Sequence, residues 1–162
     1  MNGSKRRTTD VDINVAAFPK IPSTDSMLAR MRAYDMMRVT HLHPNHAVKC
    51  DVANRRADLM PLFLRHAIHD EENGITGAGP ALLLADKIHT FAERAVAKED
   101  KRQSDLEDIR FCMEKMYLET GEKMPNELKI LYSAGDWEQV LEALEVEEEE
   151  GHWKEIAETL DI

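Results

Sequence analysis

The sequence predicts an α+β fold: a small mixed or antiparallel sheet followed by a mainly helical C-terminal half. Three observations carry this. Segments rich in Val and Ile that alternate with charged residues lie in the first third, at 9–16 and 46–53, and period-two alternation marks a strand with one buried face. From Ala81 onward, apolar residues recur at the three- and four-residue intervals of amphipathic helices. Strands that come first and helices that come after segregate as α+β rather than as alternating units.

Taken in order, 9–16 reads as a strand that Pro19 and Pro22 bring to an end. Ser23 or Thr24 then caps a helix through about Arg38, with Met27, Leu28, Met31, Tyr34 and Met37 on its apolar side. Residues 38–43 and 46–53 form two strands joined by a turn at Pro44-Asn45. In the second, Val48, Cys50 and Val52 alternate with Lys49 and Asp51. Residues 59–69 read as a short helix interrupted by Pro61 or as a strand-like connector, and 74–79 as a Gly-rich break before Pro80, which opens a helix.

Residues 81–97 form that helix, with Leu84, Ile88, Phe91, Ala92 and Ala95 at helical spacing. A charged loop at 98–103 leads to Ser104 and Glu107, a capping box for a helix through about Glu119 with Leu106, Ile109, Met113, Met116 and Tyr117 apolar. Gly121 and Pro125 punctuate, and 126–133, 137–148 and 152–160 are shorter helices. The expected organisation is a sheet region over 1–79 and a helical region over 80–162 packed on it as one structural domain. No internal repeat is visible, and 147–150 is a solvated acidic tract.

With 162 residues, 43% hydrophobic and 32% charged, the chain has the profile of an ordinary globular domain. Its net charge of −10 argues against a broad nucleic-acid-binding face. Positive charge is local, at Lys5-Arg6-Arg7. Cys50 and Cys112 lack Cys-x-x-Cys spacing, which fits a reduced, intracellular (cytoplasmic) protein. No apolar run is long enough to span a membrane and no secretory signal is visible.

The chemistry starts at Gly3-Ser4, a turn whose backbone N–H groups suit a phosphate, followed by Arg6, Thr8, Asp10 and Asp12. On a strand Asp10 and Asp12 share one face, and like charges so placed call for a cation. If the strand carrying Asp51 pairs beside them, three carboxylates gather, a hard oxygen set that selects Mg²⁺ or Mn²⁺. Metal ions held in this way activate an attacking oxygen and stabilise a leaving pyrophosphate. Lys87 and Arg94, seven residues apart, lie on nearly one helical face. His41, His43 and His46 lack a Cys or acidic fourth ligand at zinc spacing and read as surface or turn residues.

This ordered set resembles the nucleotidyltransferase superfamily, whose fold is that of polymerase β, and within it the branch that includes abortive-infection nucleotidyltransferase toxins. The likeness covers about residues 3–110. It implies a triphosphate-binding turn at Gly3 and Ser4, with Arg6 and Thr8 as intervening polar positions. It further implies that Asp10 and Asp12 are metal ligands and that Asp51 is the third acidic position, which binds metal and activates the acceptor. In the helical half, Lys87 and Arg94 match positions that reach the nucleotide phosphates, and Asp105 and Asp108 match a supporting Asp-x-x-Asp helix. Read without the resemblance, Lys87 and Arg94 are the polar flank of an amphipathic helix, and Asp105 is a first-turn charge favoured by the helix dipole.

The implied activity is metal-dependent transfer of a nucleotidyl group from an NTP, with ATP the expected donor. The acceptor is open among RNA, a protein and a small molecule, no membrane is involved, and a regulatory protein partner is compatible with this reading. The helix and strand start that precede the turn in that family do not stand before Gly3, which fits an N-terminally truncated chain. The alternative reading is a catalytically inactive remnant serving as a protein-interaction module, with Trp137 and Trp153 as anchors.

Overall fold

The computed structural model describes the backbone of residues 10–14, 27–32, 36–43, 46–53, 57–72, 75–94, 98–146 and 151–162. Within those ranges it describes the side chains from residue 58 onward, apart from Asp70 and Ile75. The architecture is α+β. Two compact units, Met1–Pro61 and Leu62–Ile162, divide the chain ahead of the Gly-rich segment at which the sequence reading divides it.

The first unit holds a four-stranded mixed sheet of strands β1 (Asp10–Asn14), β2 (Met27–Arg32), β3 (Met36–His43) and β4 (His46–Ala53), in the order β1-β4-β3-β2. β1 runs parallel to β4, and the β4–β3 and β3–β2 pairs are antiparallel. β1 and β4 form where period-two alternation predicts them. The turn at Pro44-Asn45 lies outside the described residues, but His43 opposite His46 closes the β3–β4 ladder.

The helix expected from Ser23 or Thr24 to Arg38 is replaced by β2 and the start of β3. Met27, Leu28 and Met31 satisfy a helical period, but Met27, Ala29 and Met31 also alternate with Leu28, Arg30 and Arg32. Tertiary pairing decides between the two patterns. As a strand, this segment satisfies the outer row of N–H and C=O groups on β3, which would otherwise form an open edge.

Because registered residues share a face, the ladders sort the sheet into two surfaces. One face carries the apolar rows Val11–Cys50–Val39–Ala29 and Ile13–Val52–Met37–Met31, with His41 opposite Val48 and His43 opposite His46 at its end. The other carries Asp10–Lys49–Thr40–Leu28 and Asp12–Asp51–Arg38–Arg30. A one-residue slip would exchange the two faces, so this segregation fixes the register.

The second unit begins with α1 (Met60–Arg65) and the antiparallel hairpin β5 (Ala67–Asp70) and β6 (Ile75–Ala78). The expected Gly-rich break therefore contains a strand, with Thr76 paired to His69 and a hydrogen bond of 2.9 Å between the Thr76 hydroxyl and His69 Nδ1. Gly79 closes this hairpin, its N–H donating to the His66 carbonyl at 2.9 Å. A Cβ at Gly79 would lie 2.6 Å from that carbonyl oxygen, so Gly79→Ala is expected to lower unfolding free energy by about 1–3 kcal/mol. Urea denaturation of the two proteins checks this, and equal midpoints would refute it.

Pro80 opens α2 (Pro80–Glu93), as expected, but the helix ends at Glu93, so Arg94 is its extended C-cap rather than a helical residue on the Lys87 face. Helix α2 packs against α3 (Glu99–Lys115) and α4 (Ala134–Glu145), while α5 (His152–Leu160) packs on α3 and α4. Leu84, Ala85, Ile88 and Phe91 on α2, Ile109 and Met113 on α3, and Val140 and Leu144 on α4 form the core. Trp153, Ile156 and Leu160 of α5 join it.

Helix α3 starts at Glu99, so the expected charged loop is its first turn and Ser104 lies inside it rather than at its cap. Glu99 and Asp100 supply the negative charge that a helix start favours. Beyond Lys115 the helix loosens into a π-helical turn, Met116–Thr120, closed by Gly121 at φ 63°. The helix expected over 126–133 is a turn followed by the 3₁₀ segment Lys129–Leu131. Ser133 caps α4 through a reciprocal box with Asp136.

Candidate functional site

The candidate site on the first unit rests on register. Asp12 on β1 stands opposite Asp51 on β4, and Asp10, two residues earlier, lies on the same face. The parallel β1–β4 pairing thus brings the three expected carboxylate positions onto one side of the sheet, on strands about 4.8 Å apart. Lys49 stands opposite Asp10, and the row through Asp12 and Asp51 continues to Arg38 and then Arg30. Gly3, Ser4, Arg6 and Thr8 lie outside the described residues.

The second unit brings the remaining four expected residues into one ionic cluster between α2 and α3. Lys87 Nζ lies 3.0 Å from Asp105 Oδ1 and 2.8 Å from Asp108 Oδ2, and Arg94 Nε donates to Asp105 Oδ2 at 2.6 Å. The two cations therefore share the anion Asp105, whose side chain is only 4% exposed. Asp105 is not a capping charge, because α3 begins a turn and a half earlier and Asp105 faces α2. Burial works against the Lys87 ammonium, but hydrogen bonds to Asp108 and Asp105, and their charges, raise its pKa above the ordinary 10.5.

Asp105, withdrawn from water, is paired with both cations, as a buried charge must be. Arg102 completes the junction by donating to the carbonyls of Phe91 and Arg94 at 2.9 and 3.1 Å, with its guanidinium 4.0 Å above the Phe91 ring. Cys112 lies buried on α3, and burial together with the Asp108 charge pushes its thiol up to about 12.

A smaller polar group joins α2 to α4. Asp136 accepts from the Ser133 N–H at 3.0 Å and lies 3.3 Å from His89 Nδ1. Partial burial opposes its ionisation, but the Ser133 and His89 contacts prevail and lower its pKa below the ordinary 3.8. A depressed folded-state pKa gives stability that is fully present above the unfolded value and lost as pH falls through the folded one. Wild type should therefore lose stability below about pH 4 more steeply than Asp136→Asn, as measured by urea unfolding along a pH series. Parallel profiles would refute the assignment.

Among the residues whose side chains are described, no group of three or more His, Cys, Asp or Glu is arranged to hold a metal ion. Among the described residues no helix is long and apolar enough to cross a membrane. Trp153 is 1% exposed and belongs to the core, so it is not available as a partner anchor.

Sequence reasoning placed Lys49 beside Asp51 on the polar side of β4 but missed Arg30 and Arg38 as members of that face. The signal was present in the alternation of Met27, Ala29 and Met31 with Arg30 and Arg32, hidden by an equally good helical spacing. Comparison of the chain with protein-family models, with curated proteins and with solved structures finds no match.

Proposed function

We propose that the polar face of the four-stranded sheet is the donor site of a metal-dependent nucleotidyltransferase, with a nucleotidyltransferase-like arrangement of β1 and β4. The observation that carries this reading is the register of Asp12 opposite Asp51, with Asp10 on the same face. Directly opposed like charges destabilise a sheet, and a divalent cation between them reverses that sign. Three carboxylates are a hard oxygen donor set and fit Mg²⁺ or Mn²⁺. Held there, the metal would supply Lewis-acid activation of the donor phosphate and stabilisation of the departing pyrophosphate.

The chain's own residues do the positioning. Asp10 and Asp12 fix the donor end from β1. Asp51, from the neighbouring strand, orients the acceptor and accepts its proton as the acceptor oxygen bonds to the α-phosphorus. The bond from that phosphorus to the bridging oxygen breaks, and pyrophosphate leaves with the electron pair. Such a reaction rests on positioning and charge neutralisation. For Lys87 and Arg94, the pairing of both with Asp105 supports the role of an ion-pair clamp between α2 and α3.

The test is incubation of the full chain with α-labelled NTPs, Mg²⁺ and cell extract. Label should reach an acceptor with wild type and not with Asp10→Asn. No transfer by wild type, or equal transfer by the variant, would overturn the proposal.

A further inference from the structure

The order of charges across the sheet is the informative feature of its polar face. Along one row the strands present Asp12, Asp51, Arg38 and Arg30. Opposite charges facing each other stabilise a sheet and like charges directly opposite destabilise it. The same four residues in alternating order would make three favourable cross-strand pairs. Here the charges are segregated, so only Asp51 and Arg38 are opposite in sign, and the pairs on either side are like-charged. A ladder of structural ion pairs does not account for this order.

We infer that Arg38 and Arg30 form a polyphosphate-binding half of this face, and that the row takes a metal–polyphosphate lengthwise. The metal would lie at the Asp12–Asp51 end and the phosphates at the Arg38–Arg30 end. A metal–polyphosphate joins a cation and an anion in one ligand, which relieves both like-charged pairs together. Guanidinium groups remain charged at all relevant pH and match phosphate oxygens bidentately. The two ends of the row are separated by two strand spacings, about 10 Å, a span suited to a chain of phosphates rather than to orthophosphate. Lys49, on the adjacent row opposite Asp10, adds positive charge beside the same track. That the polyphosphate is the triphosphate of an NTP donor rests on the nucleotidyltransfer reading. The anion site itself rests on the row.

The experiment is calorimetry of the full chain with inorganic tripolyphosphate, with and without Mg²⁺, and with orthophosphate for comparison. Mn²⁺ binding is followed separately by electron paramagnetic resonance. Wild type should bind tripolyphosphate more tightly with Mg²⁺ than without it, and more tightly than orthophosphate. Arg30→Gln and Arg38→Gln should each weaken tripolyphosphate binding roughly tenfold or more, with Mn²⁺ binding nearly unchanged. Asp12→Asn should do the reverse, losing Mn²⁺ while retaining metal-free tripolyphosphate binding.

Arg30 lies on the edge strand β2, so its replacement carries the test if the Arg38 variant disturbs the sheet, and Arg38→Lys with circular dichroism provides a second check. Absence of tripolyphosphate binding by wild type, or unchanged affinity in Arg30→Gln, would overturn the inference. Label transfer by wild type alongside unchanged tripolyphosphate affinity in the arginine variants would sink this inference alone. Arginine-dependent tripolyphosphate binding without label transfer would sustain the anion site and sink the nucleotidyltransfer reading.

Discussion

Replacing Asp105 by alanine is expected to lower the unfolding free energy by about 3–5 kcal/mol, the usual cost of removing one partner from a buried ion pair. The carboxylate is almost wholly buried and serves two cations, Lys87 at 3.0 Å and Arg94 at 2.6 Å. Without it the Arg94 guanidinium loses its carboxylate on α3, and Lys87 keeps Asp108 alone of the two carboxylates it now holds. A domain of this size has about 5–15 kcal/mol to lose, so much of the stability of the second unit hangs on one side chain. Urea unfolding followed by circular dichroism measures the effect, and a change below about 1 kcal/mol would show that the Asp105 pairs contribute little to the joining of α2 and α3. Because Asp105 itself is almost wholly buried, the loss should be less sensitive to salt than that of a fully exposed pair.

The second large effect is expected at Asp12. Asp12→Asn removes the like charge opposite Asp51, so metal-free protein should gain about 0.2–1 kcal/mol of stability. The same variant should lose the Mg²⁺-dependent rise in melting temperature, and any nucleotidyl transfer should fall by roughly 10²-fold or more. The opposite signs are the diagnostic. A residue that merely supports the strand would destabilise the protein when replaced, with or without metal. Thermal melts with Mg²⁺ and with a chelator separate the two cases, and a metal-independent loss of stability would refute the ligand role.

How legible these features were in the sequence depended on how unambiguous the local period was. In β4, Val48, Cys50 and Val52 alternate cleanly with charged neighbours, and its bounds are those the pattern predicts. The α5 pattern of Trp153, Ile156, Ala157 and Leu160 is equally clear and gives its helix without adjustment. The 27–38 segment fits two periods at once, and local preference chose the helix that strand pairing rejects. Ser104 and Glu107 have the spacing of a helix start, but the upstream residues Glu99 and Asp100 begin α3 first.

By itself the sequence determined that this chain is α+β, where β1, β4, α5 and the start of α2 lie, and that Asp10 and Asp12 share a strand face. The grouping of Lys87, Arg94, Asp105 and Asp108 came from the family resemblance, not from periodicity. Tertiary structure alone decided what those residues meet. The parallel β1–β4 register sets Asp12 against Asp51, and the packing of α2 on α3 gives Lys87 and Arg94 a common carboxylate. The reason is physical. Periodicity reports which face of an element a residue occupies, whereas register and helix contact join residues far apart in sequence, and only those pairings fix which charges must be neutralised together.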